Sequence, residues 1–301
     1  MSQTKQLSFL SRDFEAQFIN LSSLKRGSTI SKEVAEKFND HLYTFYRDYK
    51  RPFCWRWCDD PYKIVVSEIM LQQTQTFRVE PKFDQFIQAF PTFTALAKAP
   101  FSEVLFYWQG LGYNRRALYL QKIAQKVVGE FNNVLPDVPD ILQTFPGIGQ
   151  ATAASICTFA YNKATIFIET NIRTVFIYTF FSNARKAVTD DRIKPLIVRT
   201  LDRENPRDWY YALMDYGVTL KKQFKNPSRL SAHHTKQSSF EGSERQIRGM
   251  ILRVLLKNSR LNFAGICDLI AREPKRIEKN LAKLVDEGLI LENDRVYCLR
   301  R

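Results

Sequence analysis

Phe145-Pro146-Gly147-Ile148-Gly149-Gln150-Ala151-Thr152-Ala153-Ala154 is the stretch on which the fold turns. A Pro-Gly-x-Gly turn opens into a run of helix-forming residues. Backbone N–H groups and the positive end of a helix then face outward with no side chain in the way. An anion fits such a turn, and a nucleic-acid phosphate is the natural candidate. Upstream, Gly110-Leu111-Gly112-Tyr113-Asn114-Arg115-Arg116 makes a second glycine turn, with an aromatic ring at its tip and two arginines behind. A ring so displayed can enter a base stack when a nucleotide is flipped out, while the arginines contact phosphate. The same spacing also suits a loop whose Leu111 and Tyr113 pack onto the core.

Outward from these turns, apolar residues recur mostly at helical spacing, as in Val34-Phe38-Leu42-Phe45, Phe83-Phe86-Ile87-Phe90 and Leu118-Ile123-Val127. The fold is expected to be mainly α, and proline and glycine cut it into helices of ordinary length. No internal repeat is found. At 301 residues the chain exceeds one typical domain length, and one large domain with a smaller one attached is expected. The polar, basic stretch Lys221 to Ser243 reads as a linker. Beyond it, helices are expected around Ile247 to Lys257, Phe263 to Ala271 and Pro274 to Glu287. Two short strands follow, Leu289 to Leu291 and Val296 to Cys298, joined by a turn at Asn293-Asp294. Three helices and a terminal hairpin describe a winged helix. The expected organisation is an N-terminal arm over 1–32, a main helical domain over 33–230, a linker over 231–243 and a winged-helix-like domain over 244–301.

The 45 basic against 31 acidic residues give a net charge of +14, which calls for a polyanionic partner, nucleic acid first. The third helix of the C-terminal unit carries Lys275, Arg276, Lys279 and Lys283. It reads equally as a duplex-contacting face, a solvated helix face or a protein-docking module. No run approaches the roughly 18 apolar residues of a membrane span, and the first residues lack a signal peptide's apolar run. A soluble, cytoplasmic protein with no membrane partner is expected. Cys54, Cys58, Cys157, Cys267 and Cys298 are odd in number and mostly far apart, which fits reduced thiols. Cys54 and Cys58 could supply two metal ligands, but no second pair lies near them, and no metal site is expected.

Two carboxylates carry the candidate chemistry. The helix expected over Tyr62 to Val79 contains Ser67-Glu68-Ile69-Met70-Leu71-Gln72-Gln73-Thr74-Gln75. On a 3.6-residue period Glu68 shares its face with Ile64, Val65, Leu71 and Gln72, so its carboxyl group meets a largely apolar surface and should resist ionising. A neutral acid of that kind can protonate a leaving base; the other reading is a glutamate at the edge of the buried stripe that reaches water. Ile166-Phe167-Ile168 leads into Glu169-Thr170-Asn171, with a helix resuming over Ile172 to Phe181. Glu169 would sit at a helix N-terminus, which favours a charged carboxylate; the alternative is capping by Thr170 or Asn171. One protonated and one ionised carboxyl group make a working pair for cleaving a glycosidic bond.

Together, SEIMLQQTQ, WQGLGY, FPGIGQATAA, the ETN turn and ALMDYG resemble the helix-hairpin-helix DNA glycosylase superfamily, most closely its MutY-type adenine glycosylases. The likeness runs from about Trp55 to Gly217. It implies a two-lobed helix-hairpin-helix fold and an enzyme of base excision repair that hydrolyses the N-glycosidic bond of a flipped base. Most naturally that base is adenine opposite 8-oxoguanine or guanine. A mismatch thymine or uracil glycosylase and a non-catalytic DNA-binding protein are the alternatives. Position by position, the resemblance makes Glu68 the general acid that protonates adenine N7 and later assists water. Glu169 falls where the family has an aspartate that stabilises the oxocarbenium sugar, and Asn171 matches its nearby asparagine. Gln73 and Thr74 match residues at the lesion-strand interface, and Leu111 and Tyr113 the loop that wedges beside the oxidised guanine. Gly147 and Gly149 match the phosphate-gripping hairpin, so Arg115, Pro146 and Ile148 are expected at the DNA with them.

Three departures stand against the pattern. Position 169 is Glu, one methylene longer than the family's Asp. Ala151 stands where bifunctional relatives carry a Schiff-base lysine, which implies a monofunctional hydrolase. The family's four-cysteine iron-sulfur loop should follow Ala212-Leu213-Met214-Asp215-Tyr216-Gly217, yet no cysteine occurs between Cys157 and Cys267, so no cofactor is expected. The basic stretch Lys221 to Lys236 occupies that place and could contact DNA by charge alone. The C-terminal unit is short for the family's oxoguanine-recognition domain. The expected partner is double-stranded DNA with a mismatch or oxidised base, bound by a monomer.

Overall fold

The computed structural model describes residues 29–224, 226–235 and 237–300, so most of the expected N-terminal arm lies outside it. The chain is mainly helical. In order, α1 spans Lys32–Tyr49, α2 Pro61–Leu71, α3 Thr76–Ala89, α4 Phe93–Lys98, α5 Phe101–Trp108, α6 Arg115–Glu130 and α7 Pro139–Leu142. Then follow α8 (Gln150–Tyr161), α9 (Thr170–Phe181), α10 (Asp190–Thr200) and α11 (Pro206–Gln223). The C-terminal region adds α12 (Glu244–Asn258), β1 (Arg260–Asn262), α13 (Phe263–Ile270), α14 (Pro274–Asp286), β2 (Ile290–Asn293) and β3 (Val296–Leu299). Two compact units result, neither continuous in sequence: Met1–Pro52 with Gln150–Lys236, and Phe53–Gly149 with Gln237–Arg301.

In the first unit the Ser31 hydroxyl caps α1 by accepting the Val34 N–H, and Ala35, Phe38, Leu42 and Phe45 then fall on one buried stripe. Phe38 meets Phe176 and Phe180 of α9 at ring-centre distances of 5.5 and 5.6 Å. The helix α9 packs along α11 and along a short 3₁₀ turn, Pro227–Leu230. Contrary to the linker reading of Lys221 to Ser243, α11 continues to Gln223 and this turn is partly core. Pro227, Ser228 and Ser231 are buried, and Ser231 forms a parallel bridge with Val188. The stretch has few apolar side chains, so its burial comes through backbone pairing that hydropathy does not register.

In the second unit Phe86, Phe101 and Trp108 are fully buried among α2 to α6. Each such ring contributes about 2 kcal/mol through the apolar surface it removes from water. The C-terminal helices enclose Ile247, Ile251, Leu255, Ile277, Leu281 and Leu284. A three-stranded antiparallel sheet of order β1-β3-β2 closes that region, so the three expected helices and the hairpin are joined by a strand, β1, which the sequence reading omits. At three residues it is too short to leave much signal. The hairpin turn is centred one residue later than expected, on Asp294 and Arg295, whose φ values of 51° and 61° are those of a type I′ turn.

The helix expected over Tyr62 to Val79 is two helices. Asp60 caps α2 with Pro61 in its first turn; the helix then stops at Leu71, Gln73 turns to φ 53°, and α3 starts at Thr76. What stops it is a side chain 44 residues away.

Candidate active site and DNA interface

Arg116 is that side chain. It is buried near the start of α6, and one terminal nitrogen donates to the carbonyl oxygens of Ile69, Met70 and Gln72 at 2.8, 2.8 and 2.6 Å. The other donates to Thr74 Oγ1 at 2.9 Å and to the carbonyls of Gly112 and Leu111 at 3.2 and 3.4 Å. The free carbonyls at the end of α2 are thereby satisfied by a cation, as a helix C-terminus favours. The expectation that both arginines of the glycine loop contact phosphate therefore fails for Arg116, which is structural. Burial brings its pKa down to about 10. One residue thus fixes the end of the Glu68 helix and the Gly110–Tyr113 turn against each other.

That turn is built tightly. Gly110 and Gly112 have φ of 95° and 75°, and Tyr113 is itself left-handed at 47°. Trp108 Nε1 donates to the Gly112 carbonyl at 3.1 Å, and Arg78 donates to that of Gly110. Leu111 is buried, whereas Tyr113 at the tip is 37% exposed, so the two residues expected to wedge into DNA divide between core and surface. The Tyr113 ring has the Arg116 guanidinium 5.4 Å from its centre and that of Arg245 at 5.9 Å, and its hydroxyl accepts from Arg245 at 3.1 Å and from Gln237.

Tyr113, Gln73 and Arg115 line one cavity of about 470 Å³ together with Arg245, Arg248 and Lys283 of the C-terminal helices. Arg115 and Arg248 both pair with Glu287. Thr74 lies beneath, donating to the Leu111 carbonyl at 3.4 Å. In α14, Arg276 is held by Glu244 and the Gly242 carbonyl, while Lys275, Lys279 and Lys283 are exposed.

Glu68 sits on α2 between buried Ile64 and Val65 and half-buried Leu71 and Gln72, and is itself half-buried, at the edge of the apolar stripe. Gln72 Nε2 reaches the hairpin turn and donates to the Gly147 carbonyl at 3.2 Å. Gly147 is left-handed at φ 76°, and a Cβ there would come 2.5 Å from Tyr119 Cδ2. Glycine is required twice over. Pro146 is half-buried and Gly149 exposed, but Ile148 is buried, its N–H donating to the Phe145 carbonyl at 3.2 Å. The turn presents backbone while its one large side chain anchors it.

Glu169 and Asn171 lie in the other unit, at the start of α9. Glu169 is the N-cap: its Oε1 accepts the N–H groups of Asn171 and Ile172 at 2.8 and 3.2 Å, and its Oε2 accepts Asn171 Nδ2 at 3.3 Å. The capping role weighed for Thr170 or Asn171 thus belongs to Glu169 itself. The expectation of a favoured charged form meets an opposing effect. Burial pushes the Glu169 carboxyl above the usual range, against the Lys221 charge and the three hydrogen bonds that pull it down. Asn171 Oδ1 is buried without a partner. The helix α11 packs on this turn through Gly217, where a Cβ would lie 2.8 Å from that of Asn171 and nearer still to its carbonyl oxygen. Arg51 ties the end of α1 to α11, its N–H and Nε donating to Asp215 at 2.9 and 2.5 Å.

Arg116, Gly217, Lys221 and Arg245 were not singled out for these positions by sequence reading. Gly217 carried a signal, a glycine inside a helical pattern; the others are basic residues in a basic chain.

The arrangement can be set beside known proteins. Residues 66–196 match the family model described as HhH-GPD superfamily base excision DNA repair protein. The adenine DNA glycosylase of Mycolicibacterium smegmatis is 30% identical over 269 residues, covering 83% of this chain and 91% of that protein. That of Mycobacterium tuberculosis is 30% identical over 270 residues, covering 80% and 88%. The human adenine DNA glycosylase is 32% identical over 202 residues, 63% of this chain and 37% of the human one. Among solved structures, a thermostable thymine-DNA glycosylase superposes with a TM-score of 0.56 at 24% identity, over 64% of this chain and 90% of that one. An endonuclease III trapped covalently on DNA gives 0.52 at 16%, over 62% and 85%. These two likenesses are of fold.

Proposed function

This chain belongs to the helix-hairpin-helix DNA glycosylase superfamily, among the adenine DNA glycosylases, and on that premise we propose that it releases adenine from DNA in base excision repair. The base is a mispaired adenine, opposite 8-oxoguanine or guanine, flipped out of the duplex and cut at its N-glycosidic bond by water. The observation that carries the reading is the pair of carboxyl groups in the two environments the reaction needs. Glu68 lies at the edge of an apolar helix face, and Glu169 is held by three N–H donors at a helix start.

Glu68 gives its proton to adenine N7, and the C1′–N9 bond breaks with its electron pair leaving on the base. Glu169, as the anion, stabilises the positive charge left on the sugar, and Asn171, fixed by Gly217, orients Glu169. The Glu68 carboxylate then takes a proton from the water that adds to C1′. Around this chemistry, Gln73, Thr74, Leu111, Tyr113 and Arg115 act on one side of the lesion. Pro146, Gly147, Ile148 and Gly149 present the backbone turn that takes a phosphate. Residues 33–230 form the glycosylase domain in this reading and 244–301 a winged-helix-like DNA-binding module; the protein acts as a cytoplasmic monomer.

Where relatives hold an iron-sulfur cluster, the residues present do not fit one. The segment after Gly217 offers Lys221 in place of thiolates and packs on α9 through the turn Pro227–Leu230, and Cys157 is buried in α8. No step involves such a group.

The test is base release from duplexes carrying A opposite 8-oxoguanine, A opposite G, T opposite G and U opposite G. Adenine release from the first two is expected. Release of thymine or uracil in place of adenine would overturn the substrate, and no abasic product from any duplex would overturn the activity.

A further inference from the structure

Lys221 has no part in the mechanism above, yet it is half-buried on the helix that packs against the catalytic turn. It lies four residues, one helical turn, beyond Gly217, so both are on the same face of α11. That face meets the start of α9 so closely that no atom beyond hydrogen fits at Gly217. The charge acting on Lys221 favourably is that of Glu169, and the one acting unfavourably is that of Arg51. Arg51 is engaged with Asp215, six residues earlier on α11.

The other charged groups packed around the start of α9 point elsewhere. Arg173, on α9 itself, is held by both oxygens of Asp190 at 2.7 Å, and His233 lies 3.7 Å from the same carboxylate. Arg229 of the 3₁₀ turn is exposed. On α1, burial takes His41 down to about 4, so it is neutral and pairs with the Tyr216 hydroxyl at 3.2 Å. Among the described residues, Lys221 is the cation whose charge acts on Glu169.

We infer that Lys221 is a positioning residue for base release: its ammonium, aligned by the close contact of Gly217 with Asn171, keeps the Glu169 carboxylate ionised and aimed at the sugar. Burial opposes the ionised form of Glu169, and a neutral carboxyl cannot stabilise an oxocarbenium ion. The longer Glu side chain fits this role, since Oε1 already caps the helix and Oε2 accepts the Asn171 amide, and the carboxylate needs a counter-charge to remain an anion. The inference rests on the proposed role of Glu169 and adds to it the group on which that role depends.

The test is single-turnover adenine release from an A·G duplex between pH 5 and 9, with wild type, Lys221→Met and Lys221→Arg. With the cation removed, the Glu169 pKa rises further and the acid limb of the profile moves to higher pH. Lys221→Met is expected to be about tenfold slower on the acid limb, the factor set by one pKa unit, with the deficit shrinking as pH rises. Lys221→Arg should return to within about threefold of wild type. Affinity for a duplex bearing a non-cleavable adenine analogue should change less than about threefold in either variant, because neither loses a phosphate contact.

A Lys221→Met profile identical to wild type would overturn the inference, as would a Lys221→Arg variant that melts like wild type but is as slow as Lys221→Met. If Lys221→Met does not fold, the Arg variant decides alone, since retained charge must retain the acid limb. A borohydride-trapped DNA adduct lost in Lys221→Arg would also overturn it, by making Lys221 a nucleophile. Wild type that releases no adenine at any pH fails the proposed function instead, so the two failures are told apart.

Discussion

Arg116 in one unit is a buried basic residue and Lys221 in the other a half-buried one, and burial lowers the pKa of both. Their surroundings differ in kind. Arg116 donates to five backbone carbonyls and a hydroxyl, and its charge is absorbed by the ends of α2 and the glycine turn. Lys221 faces a carboxylate whose own pKa burial has raised. A buried cation among carbonyls sets architecture; one opposite a half-desolvated acid sets a protonation state. The comparison teaches that a basic residue near a glycosylase motif is no phosphate ligand by default.

The strongest way to break this contrast is to remove Arg116. Arg116→Met would strand the carbonyls of Ile69, Met70 and Gln72, and a loss of about 3–5 kcal/mol in urea unfolding is expected, as for removing one partner of a buried charged network. Arg116→Lys should recover little of it, because one ammonium cannot span both ends. A variant within about 1 kcal/mol of wild type would show that α2 ends without help.

Gly217→Ala sharpens the other half. The methyl group has to displace Asn171 or part α11 from α9, at about 1–3 kcal/mol for overpacking, and adenine release should fall more than stability does. Equal losses in both would make Gly217 a packing residue alone. Gly147→Ala in the hairpin should cost about 1–2 kcal/mol for a left-handed alanine, plus its clash with Tyr119. DNA affinity should drop with it, and the slope of affinity against salt should flatten if a phosphate contact is lost.

The smallest expected effect belongs to the surface. Arg115→Gln breaks an ion pair with Glu287 that is partly exposed, worth about 0–1 kcal/mol, and thermal melting should hardly move. A clear drop in melting would mean that Glu287 holds the Arg115 and Arg248 side chains as one network rather than as separate pairs.

Much of this was legible in the chain. The helical spacing at Phe38, Leu42 and Phe45, the punctuation around Pro146 and Gly147, and the helix start at the ETN turn each correspond to structure, because burial and φ preferences act locally. The break between α2 and α3 was hidden because its cause, Arg116, is 44 residues from Gln72. The stretch after α11 reads as polar linker because backbone pairing with Val188 and capping by Asn226 leave no hydropathy signal. The raised pKa of Glu169 was missed for a similar reason. A helix N-terminus is a sequence feature, whereas the desolvation that outweighs it comes from the tertiary fold, including α11, some 40 residues on.

Glu68→Gln tests the proposed proton donor most directly, in single-turnover release of adenine from an A·G duplex at neutral pH. The amide keeps the shape of the side chain and cannot give up a proton as an acid does. A fall of about 10²–10⁴-fold in rate is predicted, with duplex affinity and melting temperature close to wild type. A Glu68→Gln enzyme that releases adenine within about threefold of the wild-type rate would contradict it.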